Sequence, residues 1–204
     1  MSKYLLVIAA FIMATPVYAE LTTNMGTATK YMFRGVKQSD ADIVINGGID
    51  YNGPFGFYAG AWAYTGSIED FDTSEVNAYG GFAYSLGNVA LGGGVIGYER
   101  GGDKKENTEY NMNVAWRDYR LSVYQDDKDT YEYKELAANY EFWDDAGMAF
   151  TAGLLTPDDS KELWDYSVSI VLAMPSKVDF EVLLTNQQKK GYSLVLGISQ
   201  QFDW

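Results

Sequence analysis

The sequence predicts an all-β chain, a transmembrane antiparallel β-barrel of about 12 strands in meander order. Three observations predict it. Apolar and polar residues alternate with period two along one segment after another, the pattern of a strand with one greasy face. The connections alternate as well, tight at one end and longer and charged at the other, as in outer-membrane barrels. Finally, the last segment puts Tyr192, Leu194, Leu196, Ile198, Phe202 and Trp204 on one face, interrupted only by Gln200. An open strand of that length invites association, and closing it against the first strand removes the edge.

The segments are expected at roughly 21 to 34, 41 to 52, 55 to 66, 74 to 86, 88 to 98, 107 to 117, 119 to 126, 131 to 142, 146 to 155, 164 to 174, 177 to 185 and 191 to 204. Tight connections fall at Asn52-Gly53-Pro54, Leu86-Gly87-Asn88, Arg117-Asp118, Asp144-Asp145 and Pro175-Ser176. The longer ones run from Val36 to Asp40, Ser67 to Thr73, Glu99 to Glu106, Asp127 to Thr130, Thr156 to Leu163 and Asn186 to Lys190. Alternation is cleanest in the second half. Tyr110, Met112, Val114 and Trp116 share a face opposite Glu109, Asn111 and Asn113; Val178, Phe180, Val182 and Leu184 oppose Asp179, Glu181 and Thr185.

Aromatic residues collect at the segment ends. Phe57, Trp116, Tyr119, Phe142, Trp143, Phe202 and Trp204 lie near the tight turns, and Tyr64, Tyr110, Trp164, Tyr166 and Tyr192 near the longer loops. Two girdles at the headgroup level are expected. A soluble barrel of this strand number would enclose a void needing a plug, and no plug segment is visible. A two-sheet periplasmic sandwich is the better soluble alternative, but it does not require the asymmetry of the connections.

Residues 1–19 read as a secretory signal: Lys3 is the positive start, Tyr4 to Met13 the apolar region and Val17-Tyr18-Ala19 the cleavage site. A membrane-spanning helix needs about 20 apolar residues, and this run is shorter. The expected organisation is therefore a cleaved signal followed by a barrel over 20–204, in the bacterial outer membrane. The mean hydropathy of −0.21 is compatible, because each lipid-facing residue is diluted by a polar neighbour.

Tyr31-Met32-Phe33-Arg34-Gly35-Val36-Lys37-Gln38-Ser39-Asp40, then Gly47-Gly48-Ile49-Asp50-Tyr51, then Gly56-Phe57-Tyr58-Ala59-Gly60 with Trp62, resemble the TorF family of outer-membrane porins. The resemblance is specific over roughly the first third of the mature chain and rests on strand pattern thereafter. It implies an outer-membrane channel and carries over no catalytic or binding residue. The last segment resembles the closing strand of such barrels, whose terminal aromatic is read by the outer-membrane assembly machinery. Trp204 stands where Phe is more usual.

The chain has no His and no Cys, which removes the general base of the familiar outer-membrane hydrolases as well as thiol catalysis and zinc sites. Neither a catalytic residue, a cofactor nor a metal site is expected. The acidic runs Asp126-Asp127-Lys128-Asp129 and Asp158-Asp159 lack EF-hand spacing and read as solvated loop charge. A formal charge of −13 argues against nucleic acid as a partner. Lipid, lipopolysaccharide and small solutes are the expected contacts.

What remains is the lumen. Lys30 and Arg34, four apart on the first segment, are expected inward with Tyr31 and Phe33 facing lipid, and Arg120 joins them if Leu121 and Val123 face out. Against these cations stand Asp50, Glu75, Glu109, Glu135, Glu141, Asp179, Glu181 and Asp203. Such charge sets ion preference in a pore, so a narrow, cation-preferring diffusion channel is expected, constricted by Tyr79, Tyr98, Tyr124 and Tyr133. A sealed, salt-bridged structural barrel is the alternative.

Overall fold

The structure, a computed structural model, describes residues 19–38, 43–65, 74–101, 105–158, 160–174 and 177–204. The signal read in residues 1–19, apart from Ala19, the turn at Pro175-Ser176 and the connection expected from Ser67 to Thr73 lie outside them. The strands are β1 (Glu20–Ala28), β2 (Met32–Phe33), β3 (Val36–Lys37), β4 (Val44–Asn52), β5 (Phe57–Thr65), β6 (Glu75–Leu86), β7 (Val89–Arg100), β8 (Lys105–Trp116), β9 (Tyr119–Asp126), β10 (Tyr131–Trp143), β11 (Ala146–Pro157), β12 (Leu163–Met174), β13 (Val178–Gln187) and β14 (Gly191–Asp203). All but β2 and β3 form one closed antiparallel barrel in which every wall strand pairs with its neighbours in sequence, and β1 closes on β14. The seam runs from Thr22 opposite Asp203 to Ala28 opposite Gly197, so β1 covers the edge of the final strand from Gly197 to Asp203.

Strand parity decides which side each residue takes. Leu91, Met112, Leu121, Leu136, Phe150, Ile170, Leu172, Leu184, Leu194 and Ile198 are exposed on the outer wall, Met112 reaching 74% exposure. The buried set contains Glu75, Glu109, Ser122, Asp126, Asp165, Ser169 and Thr185. A soluble globule hides its aliphatic rows; this one hides its carboxylates, the arrangement a hydrocarbon solvent demands. Exposed rings mark both ends of the outer wall: Phe57, Trp116, Tyr119, Trp143 and Trp204 by the tight turns, Tyr110, Trp164, Tyr166 and Tyr192 by the longer loops.

Tyr64 departs from the expected outer girdle. Only 5% exposed, it points inward and its ring lies 4.1 Å from that of Tyr31. The inner wall of β5 to β7 is built from rings lying over glycines. A Cβ on Gly60 would come within 2.6 Å of the Tyr79 ring, and one on Gly94 within 2.4 Å of the Tyr58 hydroxyl. Within the Gly92-Gly93-Gly94 run it is Gly94 that makes room for the Tyr58 hydroxyl.

The larger correction concerns the first segment, expected as one strand over 21 to 34. The wall strand stops at Ala28, and the chain then turns into the lumen as the short β2–β3 hairpin, with Met32 opposite Lys37 and Phe33 opposite Val36. Tyr31 and Phe33, expected to face lipid, lie inside the barrel, and the plug that no sequence pattern announced is this hairpin.

Candidate functional site: the lumen and its inward hairpin

The hairpin turns at Arg34 and Gly35, whose φ values of 50° and 74° are both left-handed, as a two-residue turn between right-twisted strands requires. Its stem is tied to the barrel rim: the Thr29 amide donates to the Leu196 carbonyl at 2.9 Å, and the Leu196 amide donates to Thr29 Oγ1 at 3.1 Å. Tyr31 wedges against Trp62 and Tyr64, at 5.2 and 4.1 Å between ring centroids, and Phe33 meets Tyr98 edge-on at 5.9 Å. At the tip Gln187 Nε2 donates to the Arg34 carbonyl at 3.2 Å. Gly35 lies so close to β13 that a Cβ there would stand 2.8 Å from the Asn186 carbonyl oxygen.

Arg34 is the anchor of this arrangement. Its guanidinium donates to both carboxylate oxygens of Glu109, at 2.7 and 2.9 Å, and Glu109 is fully buried. The Tyr98 and Tyr131 hydroxyls donate to the same carboxylate at 2.8 and 2.6 Å, so each oxygen accepts two hydrogen bonds. The guanidinium carbon also lies 4.0 Å from the Tyr133 ring centroid and 5.2 Å from that of Tyr124. Burial on its own lowers the pKa of the Arg34 guanidinium, but the paired contact with Glu109 outweighs it and the net shift is upward. Burial pushes the Tyr31 hydroxyl up, with the Glu75 charge adding to it.

The sequence-predicted lumen residues divide into four groups. Glu109 pairs with Arg34, Glu135 with Arg120 at 3.4 Å, and Glu75 with Arg100. Asp50 accepts a hydrogen bond from the Tyr79 hydroxyl. Glu141, Asp179 and Glu181 line the tight-turn half of the lumen, and none of the described cations pairs with them. Glu141 and Glu181 share a row across four strands through Gly147 and Val171, roughly 14 Å apart at the usual strand spacing. Lys30 is not on a wall strand; it lies between β1 and β2 in the stem of the hairpin.

Sequence reasoning passed over Arg100, Lys177 and Asp165. Parity with Tyr98 would have put Arg100 inward, and parity with Ser167 and Ser169 would have done the same for Asp165. Lys177 pairs with Asp203 beyond the seam. In the loop run, the Asp126 carboxylate accepts from the Thr130 amide and hydroxyl, both at 2.7 Å, and from the Tyr131 amide at 2.9 Å. That residue shapes its turn and is not free loop charge.

Two cavities meet at the hairpin. One, of about 400 Å³, opens toward the longer loops beside Val36, Gln38, Arg100, Asn107 and Tyr131; the other, of about 260 Å³, lies beneath Met32 beside Tyr124, Tyr133, Glu135 and Asp165. Phe33, Arg34 and Tyr98 belong to both. The hairpin therefore stands as a partition across the lumen.

Closed wall, apolar exterior and polar interior define the class, a twelve-stranded barrel of the outer-membrane porin fold. Solved structures agree. The KdgM porin superposes with a TM-score of 0.63 at 9% identity, over 91% of this chain and 99% of that one. The NanC porin gives 0.59 at 9%, over 88% and 97%. The COG4313 outer membrane channel from Pseudomonas putida F1 gives 0.52 at 11%, over 93% and 97%. No curated protein matches significantly in sequence. Residues 14–167 match the family described as "Bacterial protein of unknown function (Gcw_chp)", and the chain belongs to that family.

Proposed function

We propose that this protein is a narrow, passive outer-membrane channel for small solutes, with the β2–β3 hairpin as its constriction and a preference for cations. The observation that carries this reading is the enclosed polar lumen, with a cavity on each side of the hairpin and an excess of inward carboxylates. Arg34, Arg100, Arg120 and Lys177 are each spent on a carboxylate, which leaves Glu141, Asp179 and Glu181 to set the field of the inner half. No cofactor or catalytic step is involved. Export by a cleaved signal, contact with lipopolysaccharide and recognition of the C-terminal strand by the assembly machinery belong to the same reading, as does the TorF porin resemblance of the first strands.

A second reading, a non-conducting structural barrel, is favoured by one feature: the Arg34–Glu109 contact fastens the hairpin across the lumen. Planar-bilayer recording separates the two. Discrete conductance steps, with a reversal potential on the cation side in a salt gradient, are expected of the channel. A silent bilayer with correctly folded protein leaves the sealed barrel, and an anion-side reversal potential contradicts the charge assignment.

A further inference from the structure

The inner chamber contains a feature that neither barrel closure nor the hairpin latch uses. Asp165 on β12 is 4% exposed and borders the chamber. One of its carboxylate oxygens accepts from the Tyr133 hydroxyl at 3.1 Å, while the other is buried and has no hydrogen-bond partner. An unsatisfied buried carboxylate oxygen is costly, and a native fold keeps one where something else completes it. Register places Asp165, Gly153 and Glu135 in one row across β12, β11 and β10, all facing the lumen. The two carboxylates thus flank Gly153, where the middle strand contributes no side chain and the Tyr133 hydroxyl takes up the space. A Cβ on Gly153 would stand 2.1 Å from the Tyr133 hydroxyl and 2.6 Å from the unpartnered oxygen of Asp165. The adjoining chamber is framed by the rings of Tyr124 and Tyr133, 5.9 Å apart, and by Thr151, Ser167 and Thr185.

Hydroxyl acceptors and an unpartnered carboxylate oxygen leave one ligand chemistry. Among the described residues the one cation bordering the chamber, Arg34, is committed to Glu109, so an anionic solute meets repulsion and no free donor fork. A metal ion is poorly served, since among the described residues no three potential ligands converge. A protonated primary amine supplies N–H donors to the unpartnered Asp165 oxygen and to hydroxyls. The volume of about 260 Å³ lies just below the ~300 Å³ at which small-molecule pockets begin, which restricts the guest to a small one. We propose that this chamber is a binding site for small primary ammonium solutes, with Asp165 as the charge partner and Tyr124 and Tyr133 as the aromatic frame. The proposal rests on the channel reading for its physiological sense, because the solute would be cargo in transit, but binding itself needs no conduction.

The test is calorimetric titration of the folded barrel in detergent with propylammonium chloride, alongside sodium chloride, tetramethylammonium chloride and sodium propionate, at about pH 8, where carboxylates are ionised and the amine is protonated. Saturable binding of propylammonium alone is expected. Asp165→Asn should weaken it at least tenfold, the loss of one charged hydrogen bond, and Gly153→Ala should do the same, because its Cβ would displace the Tyr133 hydroxyl and the Asp165 carboxylate. Heat-dependent gel migration checks that both variants remain folded barrels; should one fail to fold, the other serves. No saturable propylammonium binding, equal binding of sodium or of tetramethylammonium, or unchanged affinity in a folded variant overturns the site. Binding with a silent bilayer would defeat the channel reading and leave the site standing. Conductance without binding would do the reverse.

Discussion

Replacing Arg34 by Ala tests whether the hairpin is a fastened partition. The change removes both charged hydrogen bonds to Glu109, at 2.7 and 2.9 Å, and leaves a fully buried carboxylate with only the Tyr98 and Tyr131 hydroxyls. Breaking a buried ion pair by deleting one partner costs about 3–5 kcal/mol. At ~1.4 kcal/mol per tenfold, even the lower figure raises the undocked hairpin population by roughly a hundredfold. Single-channel recording should then show longer or larger openings than in the parent protein. A cysteine placed at Val36 should react faster with a maleimide, a clean readout because the chain has no native Cys. Arg34→Lys should fall between, since an ammonium cannot reproduce the two-pronged contact. In a Glu109→Gln background the effect of Arg34→Ala should shrink, because no buried charge is orphaned. Unchanged conductance and labelling in Arg34→Ala, or strictly additive effects with Glu109→Gln, would refute the idea that this ion pair holds the hairpin.

Other consequences follow from the same geometry. Gly35→Ala puts a Cβ at φ 74° and 2.8 Å from the Asn186 carbonyl, so it should loosen the hairpin like Arg34→Ala while keeping the charge, with labelling at position 36 as the check. Met112→Arg places a charge on the lipid face between the ring of Tyr110 and that of Trp116 and should cost about 2–4 kcal/mol in urea unfolding from lipid vesicles; a negligible change would mean that this face does not meet hydrocarbon. The combined change Asp179→Asn and Glu181→Gln should move the reversal potential toward zero, whereas Arg120→Gln should shift it further to the cation side by freeing Glu135.

Strand number and the facing of wall residues were legible from the chain because both are local. A side chain's face follows from parity, and the alternation of Tyr110, Met112, Val114 and Trp116 against Glu109, Asn111 and Asn113 needs no knowledge of what pairs with it. Glu75 and Glu109 are buried inside the wall, and register sets Asp50, Arg120, Glu135, Glu141, Asp179 and Glu181 on that same side of their strands. Parity fails where the strand stops. Tyr31-Met32-Phe33-Arg34 continues the alternation of the first segment, and Arg-Gly lacks the Asn or Asp that usually announces a tight hairpin, so nothing local separates a continuing wall from a turn into the lumen. Tyr64 was misplaced for a related reason: a ring near a strand end suits a lipid girdle and a packed lumen equally well, and only its contact with Tyr31 tells them apart.

The amino-acid pattern by itself determined a twelve-strand wall, greasy outside and wet inside, since a two-residue period and a count of turns require no long-range partner. Which carboxylates keep a free charge, and whether the lumen is crossed, were decided only when the barrel closed. Arg34 and Glu109 are 75 residues apart, and the contact that makes one the latch of the other exists only because the folded wall brings β8 around to face the hairpin.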